Sequence, residues 1–199
     1  MTWLDVRAES EFRLAGSTRN LPPTTAIDET RQYLRRVAGF LNRDQMSELL
    51  GEVGEIYRLS ILDRFRTSTD PAGRPWKKLS QATINLKQRG IVGKGGKLHR
   101  PPAVASVTPK GFSSIPAGPN KQLIWTGRMI NAIRIVKDTR RSNVNIGLSS
   151  KQIPYAWIQH VGDATRNIPS RRFLGYNNRT NAEALRAIRA YMLLKIRTS

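Results

Sequence analysis

Between residues 46 and 65 the apolar side chains keep to one side of a helix: Met46, Leu49, Leu50, Val53, Tyr57, Ile61 and Phe65. At 3.6 residues per turn this is about six turns carrying a single apolar stripe. A helix of that length must bury its stripe against something, so the fold needs at least one further layer. Asp44 stands where an N-cap carboxylate belongs, and Asn42-Arg43-Asp44 separates this helix from an earlier one. That earlier helix is expected to start at Asp28 and to carry Tyr33, Leu34, Val37, Ala38 and Leu41 on one face. Gly51 and Gly54 interrupt the long helix and predict a close approach of another backbone.

The rest of the chain changes character. Residues 1 to 25 lack periodicity and end in Leu21-Pro22-Pro23, which reads as an extended arm wrapping a neighbouring subunit or protein. Thr69-Asp70-Pro71-Ala72-Gly73 is a turn, and Ser80 caps a short basic helix running to about Lys87. From 89 to 120 glycines and prolines recur and no core face emerges, so this is read as a long basic loop. Leu123-Ile124-Trp125, Ile133-Arg134-Ile135-Val136 and Val144-Asn145-Ile146-Gly147-Leu148 read as strands. Tyr155 to His160 fits a short helix or a strand end. A last amphipathic helix over 181–196 turns Leu185, Ile188, Met192 and Ile196 inward. The expected fold class is α+β. An antiparallel sheet is packed by the long helix and the C-terminal helix, in one domain over 26–199 with the loop inserted at about 89–120.

Charge bounds the partners. The formal net charge is +20 in 199 residues, well beyond what solubility asks. It is also uneven: residues 1 to 70 hold 10 basic and 11 acidic side chains, whereas 71 to 137 hold 13 basic and no acidic ones. A near-neutral first third and a basic remainder suit a subunit that meets protein on one side and a polyanion on the other. Lys87, Arg89, Lys94, Lys97, Arg100, Lys110 and Lys121 are the candidate channel-lining or partner-facing cations. DNA phosphates and an acidic neighbouring protein are both possible destinations for them.

Several chemistries find no support. With no cysteine there is no disulfide, thiolate ligand or thiol nucleophile. Only His99 and His160 are present, without a partner at metal-ligand spacing. Lys94-Gly95-Gly96-Lys97 lacks the Gly-Lys-Ser/Thr ending of a phosphate loop. Nothing pairs Asp70 with Asp138 for acid–base or two-metal work, which weighs against a nuclease. No long apolar stretch predicts a membrane span, and Met1-Thr2-Trp3-Leu4-Asp5 does not read as a secretory leader. A nucleic-acid-binding module outside any particle is the main competitor, although no helix-turn-helix, ribonucleoprotein or KH signature is visible.

A set of short boxes in a fixed order carries a family resemblance. After the long helix comes Phe65-x4-Asp70-Pro71-x-Gly73-x-Pro75-Trp76-x2-Leu79-Ser80-x2-Thr83. It is followed by Leu123-x-Trp125-Thr126-Gly127-x-Met129, by Asn145-Ile146-Gly147 and by Tyr155-Ala156-x2-Gln159-His160-x-Gly162. The last box is Ile168-Pro169-x-Arg171-Arg172-Phe173-Leu174-Gly175. Over about residues 45 to 195 this order resembles the phage virion morphogenesis family, the tail-completion and head–tail joining proteins of Mu-like tailed phages. Two departures stand out: residues 1 to 40 and 89 to 120 exceed a minimal member, and Val161 sits where the family often has Phe.

The resemblance implies a structural subunit of the virion neck or tail, made in the host cytoplasm, with no catalytic activity, cofactor, metal or membrane. It further implies a ring-shaped homo-oligomer, a hexamer. Its neighbours would be the head–tail connector and the tail terminator or tail tube proteins, with phage DNA passing through the lumen. Read physically, Trp76 and Trp125 anchor a turn and a strand to the core. Pro169-Ser170-Arg171-Arg172-Phe173 is an extended segment that either packs in its own chain or seats in a neighbour's groove.

Overall fold

The computed structural model describes residues 34–35, 37–92, 96, 98–99, 104–106, 114–116, 120–124, 127–148 and 152–198. The arm over 1–25, the Asp28 cap, Trp125, Thr126, Lys94, Lys97, Arg100 and Lys110 lie outside them. The fold is α+β. Its elements are α1 (Arg43–Thr67), α2 (Gln81–Arg89), β1 (Ile91–Val92), β2 (Leu98–His99), β3 (Val104–Ser106) and β4 (Ser114–Pro116). They continue with α3 (Arg128–Asn131), β5 (Arg134–Asp138), β6 (Asn143–Gly147), α4 (Ala156–Val161) and α5 (Asn178–Thr198). Among the described residues no helix is long and apolar enough to cross a membrane.

Where the sequence leads one to expect a single domain, the chain divides into two compact units. Among the described residues, one comprises Leu59–Arg134 and Leu148–Gly175, the other residues 34–58, Ile135–Gly147 and residues 176–198. The first division falls inside α1, so no linker composition marks it.

In the second unit, α1 opens on a reciprocal capping box. Asn42 Oδ1 accepts from the Gln45 N–H at 2.9 Å and Gln45 Oε1 accepts from the Asn42 N–H at 3.0 Å. Asn42 is therefore the cap, and Asp44 sits in the first turn, where its charge favours the helix dipole. Met46, Leu49, Leu50, Val53 and Tyr57 are buried as the periodicity requires. The hairpin β5–β6, joined by the turn at 139–142, packs on α1 through Gly54. A Cβ there would lie 2.6 Å from Ile135 Cγ2 and 3.1 Å from Val144 Cγ2, so the close approach is to side chains of the hairpin. Gly51 is roomier, its nearest neighbour being Lys137 Nζ at 3.7 Å.

The two glycines should respond in opposite ways. Gly51→Ala gains the helix propensity of alanine, about 0.5–1 kcal/mol. Gly54→Ala gains the same but must displace β-branched methyls, an overpacking cost of about 1–3 kcal/mol that leaves it destabilised. Urea denaturation of the two variants gives the signs directly, and a stabilised Gly54→Ala would refute the packing described.

The inner face of α5 differs from the expected one. Thr180, Asn181, Ala184, Ile188 and Tyr191 are buried, while Leu185 and Met192 are half-buried. Polar groups turn the helix: the Tyr57 hydroxyl donates to Asn181 Oδ1 at 2.9 Å. The Tyr191 hydroxyl lies 2.6 Å from Glu48 Oε2 and 3.1 Å from the Gln45 carbonyl. These contacts run α5 antiparallel to the first half of α1.

In the first unit, Ile61, Leu62 and Phe65 of α1 join Trp76, Ile124, Met129, Ile130, Ile133, Leu148, Ile153 and Phe173 as buried residues. Ser80 caps α2 as expected, its hydroxyl accepting from the Thr83 N–H. Two corrections follow. Leu123-Ile124 is not a strand: Leu123 adopts a left-handed φ of 59°, and the Ile124 carbonyl is taken by a side chain, not a strand neighbour. The stretch from 89 to 120 contains two antiparallel ladders, β1–β2 and β3–β4. With two and three residues per strand they are too short for alternation to show in a sequence.

Candidate functional site

The boxes before and after the middle of the chain meet in the first unit, around the segment Pro169–Gly175. Asp70 builds the turn that leads into it. Its Oδ1 accepts from the N–H groups of Ala72 and Arg74 (both 2.9 Å), and its Oδ2 accepts from Arg74 Nε at 2.8 Å. Gly73 takes a φ of 80°, which a side chain would disfavour. The turn returns the chain so that the Trp76 N–H reaches the Ser68 carbonyl at 2.8 Å. Pro71 then lies against Gly175, where a Cβ would come within 2.7 Å of its ring.

At the other end, α4 stops at Gly162 with a φ of 84°. Asp163 and Ile168 exchange N–H and carbonyl groups at 2.7 and 2.8 Å, closing a tight loop. Asp163 Oδ1 accepts from Thr165 and Arg166, and the Thr165 hydroxyl bond leads in holding its carboxyl below the ordinary range. The loop brings Ser170 so near α4 that a Cβ on Gly162 would meet the Ser170 nitrogen at 2.6 Å.

The segment beyond has no regular secondary structure, yet its main chain is held throughout. The Arg171 N–H donates to the Gln159 carbonyl at 3.0 Å. Trp76 Nε1 donates to the Arg172 carbonyl at 3.1 Å. Arg64 Nη1 donates to the carbonyls of Phe173 and Gly175 at 2.9 and 2.8 Å. His160 Nδ1 accepts from the Phe173 N–H at 3.3 Å, which requires a neutral ring with its proton on Nε2. The Phe173 ring is fully buried and meets Phe65 at 5.4 Å and His160 at 5.0 Å between centroids. Trp76 meets Phe65 edge-on at 5.7 Å.

Burial sets the electrostatics. It lowers the Arg64 guanidinium to about 10, against the opposing pull of Asp70 and Asp63. His160 is pushed down to about 4, chiefly by burial and then by Arg172 and Arg64. Lys87 is held at about 8 by burial and by Arg171. Its ammonium is nonetheless bonded, donating to the carbonyls of Lys121 at 2.6 Å and Ile124 at 2.7 Å. Arg171 is lowered by burial too, and its side chain reaches the Lys77 carbonyl at 3.3 Å and Gln159 Oε1 at 3.5 Å.

Several sequence expectations change accordingly. Lys87 was expected to face a channel or partner; it is 4 % exposed and spans two carbonyls of its own chain. Lys121 is half-buried, with its amine on the Arg66 carbonyl at 2.9 Å, whereas Arg89 is exposed. Arg171 and Phe173 pack in their own chain while Arg172 is exposed. Ala156 and His160 are buried, Pro169 is half-buried and Tyr155 is exposed. Gly127 caps α3 with a φ of 76°. Gly147, which closes β6, belongs to the second unit and does not join this cluster.

Arg64 is the residue that sequence reading missed. A signal existed, because Arg64 falls three residues after Ile61 and seven after Tyr57, on the apolar stripe itself. A cation on a core-facing position calls for buried acceptors elsewhere in the fold.

The arrangement is suited to holding. Arg64, Trp76, Lys87 and His160 are bonded to main-chain groups of their own chain, and His160 faces an amide and not a reactive carboxylate. Among the described residues no three His, Asp or Glu side chains gather as a metal site. In the second unit a cavity of about 290 Å³ is lined by Ala38, Leu41, Arg43, Met46 and Arg140 among others. No family model matches the sequence, and no curated protein or solved structure is similar to it.

Proposed function

We propose that this chain is a non-enzymatic structural subunit of a tailed-phage neck. In this reading it completes the tail and joins it to the head within a homo-oligomeric ring through which DNA passes. The observation that carries it is the convergence of the boxes. Asp70-Pro71-x-Gly73, Trp76, His160-x-Gly162 and Arg171-Arg172-Phe173-x-Gly175, about a hundred residues apart in the chain, clasp one another. The pattern behind the resemblance therefore serves rigidity, as a load-carrying ring requires. The high basic charge supports a polyanion close by. With Lys87 occupied internally, Lys94, Lys97, Arg100 and Lys110 remain, in this reading, the sequence candidates for contact with DNA or an acidic neighbour.

The exposed Arg140 and Arg141 at the β5–β6 tip favour a second reading, a sequence-nonspecific nucleic-acid-binding module outside a virion. Stoichiometry separates the two. Electron cryo-microscopy of purified particles should reveal a closed ring of this chain at the head–tail junction. A monomer or dimer absent from particles, binding DNA tightly, would establish the second reading instead.

A further inference from the structure

The first unit is charged almost entirely in one direction. Over Leu59–Arg134 and Leu148–Gly175 it holds 18 Lys and Arg against three acids, Asp63, Asp70 and Asp163. Each acid is already bonded to an arginine three or four residues along. Asp63 meets Arg66 at 2.6 Å, Asp70 meets Arg74 at 2.8 Å and Asp163 meets Arg166 at 3.2 Å. The unit therefore has no acid left over for its other cations, and their counter-charge must come from outside it.

The clasp gathers three of these cations. Trp76 Nε1 holds the Arg172 carbonyl at 3.1 Å and Arg171 Nε reaches the Lys77 carbonyl at 3.3 Å, so residues 76–78 run alongside 171–172. Lys77, Lys78 and Arg172 are all exposed on these two segments, and none of them pairs with an acid among the described residues. Arg171, between them in the chain's path, is buried, and neutral oxygens of Lys77 and Gln159 meet its donors. Such bonds satisfy a guanidinium without cancelling its charge, so it adds to the field of the exposed three. The first turn of α2, just beyond Lys78, carries no acid either.

The surroundings decide which polyanion fits. Apart from the three cations, the exposed residues over 75–82 and 169–172 are Pro75, Ser80, Gln81, Ala82 and Ser170. No large apolar side chain is exposed there. A protein partner draws most of its affinity from aromatic or aliphatic anchors, which this surface does not offer. A nucleic-acid backbone is met by lysine, arginine, serine and glutamine, which it does.

We propose that Lys77, Lys78 and Arg172, carried by the clasp, form a surface that holds the sugar–phosphate backbone of duplex DNA. The proposal deepens the functional reading above and rests on it for the choice of DNA; the surface itself rests on the clasp. Contacts of this kind fix position without reading sequence, and each phosphate neutralised releases counterions to the salt solution.

Fluorescence anisotropy of labelled duplexes with the full chain tests it. Wild type should bind two duplexes of unrelated sequence equally well, and more weakly as salt rises. A chain with Lys77→Glu, Lys78→Glu and Arg172→Glu should bind about a hundredfold more weakly at low salt. Its slope of log affinity against log salt should be flatter by about 2–3, the loss of three phosphate contacts. Lys77→Arg, Lys78→Arg and Arg172→Lys together keep the charge and should bind within about twofold of wild type. All three side chains are exposed, and circular dichroism verifies that each variant is folded. A Glu variant that binds like wild type would overturn the proposal. So would a wild type that does not bind duplex at low salt, or one that binds polyglutamate in its place, which would make the surface a seat for acidic protein. If Lys94, Lys97, Arg100 and Lys110, or Arg140 and Arg141, changed to Glu abolish binding while the clasp variant does not, the phosphates are met there and the proposal fails. None of these results touches the neck reading, which particle imaging decides. Particles without the chain would sink that reading and leave a measured loss at the clasp standing.

Discussion

Replacing Gly162 by alanine is expected to destabilise the protein by about 3–5 kcal/mol. Two costs combine. The residue has φ 84° and ψ 170°, a region essentially confined to glycine, at about 1–3 kcal/mol for any other residue. The new Cβ would also lie 2.6 Å from the Ser170 nitrogen and 2.9 Å from the Ile168 carbonyl oxygen, and backbone cannot yield as a flexible side chain can. Displacing Ser170 would pull on the Phe173 amide and on the carbonyls held by Trp76 and Arg64. Gly73 is the control. It too has a positive φ, 80°, but nothing stands within 4 Å of its Cβ position. Gly73→Ala should therefore cost only the strain, about 1–2 kcal/mol. Guanidinium denaturation of both variants decides the matter: equal losses would mean that the approach of Ser170 to α4 carries no weight.

Acid should weaken the same clasp through His160. Its folded value of about 4 lies below the ordinary 6.5, so the unfolded chain binds the proton more readily than the folded one. The stability this neutral ring contributes is complete above about pH 6.5 and is lost as the pH falls through 4. The span corresponds to about 3 kcal/mol. The cause is visible in the geometry, because a protonated Nδ1 can no longer accept from the Phe173 N–H, and Arg172 and Arg64 repel the new charge. Carboxylates titrate over the lower half of this range as well, so the measurement is a difference. Stability of wild type and of His160→Asn, whose amide oxygen can still accept but does not titrate, is compared at pH 7 and at pH 4.5. The wild type should lose more by about 2–3 kcal/mol. Parallel curves would show that His160 plays no part in the acid response.

How much of this could be read from the sequence depended on the kind of interaction. The apolar stripe of α1, the Ser80 cap, the β5–β6 hairpin and the existence of α5 follow from local periodicity and capping, and those signals survive in a linear text. The inner face of α5 did not, because Asn181 and Tyr191 are turned inward by hydroxyl contacts with Tyr57, Gln45 and Glu48, more than 120 residues away. Leu123-Ile124 looked like a strand by composition, but the Lys87 ammonium took the carbonyl that a strand partner would have bonded. Lys87 itself resembled every other surface lysine, since nothing in its neighbours announces two buried carbonyls. In the clasp, the turn at Asp70 was legible from residue type. Arg64 was not, although its position on the stripe offered the clue.

The clasp grips Arg172, Phe173 and Gly175 by their main-chain groups, and every residue type except proline at the N–H position offers the same ones. Shape is judged at the Phe173 ring, at the buried Leu174 and at Gly175, where a Cβ would meet Pro71. For the clasp itself, position 172, whose side chain is exposed, is thus free to drift over generations with little penalty, while the burden of staying unchanged falls on the holders: Arg64, Trp76, His160 and Gly162. A lineage of such chains would come to share scattered single letters and few continuous words, so kinship among its members would be better sought in the spacing of those four positions than in overall identity.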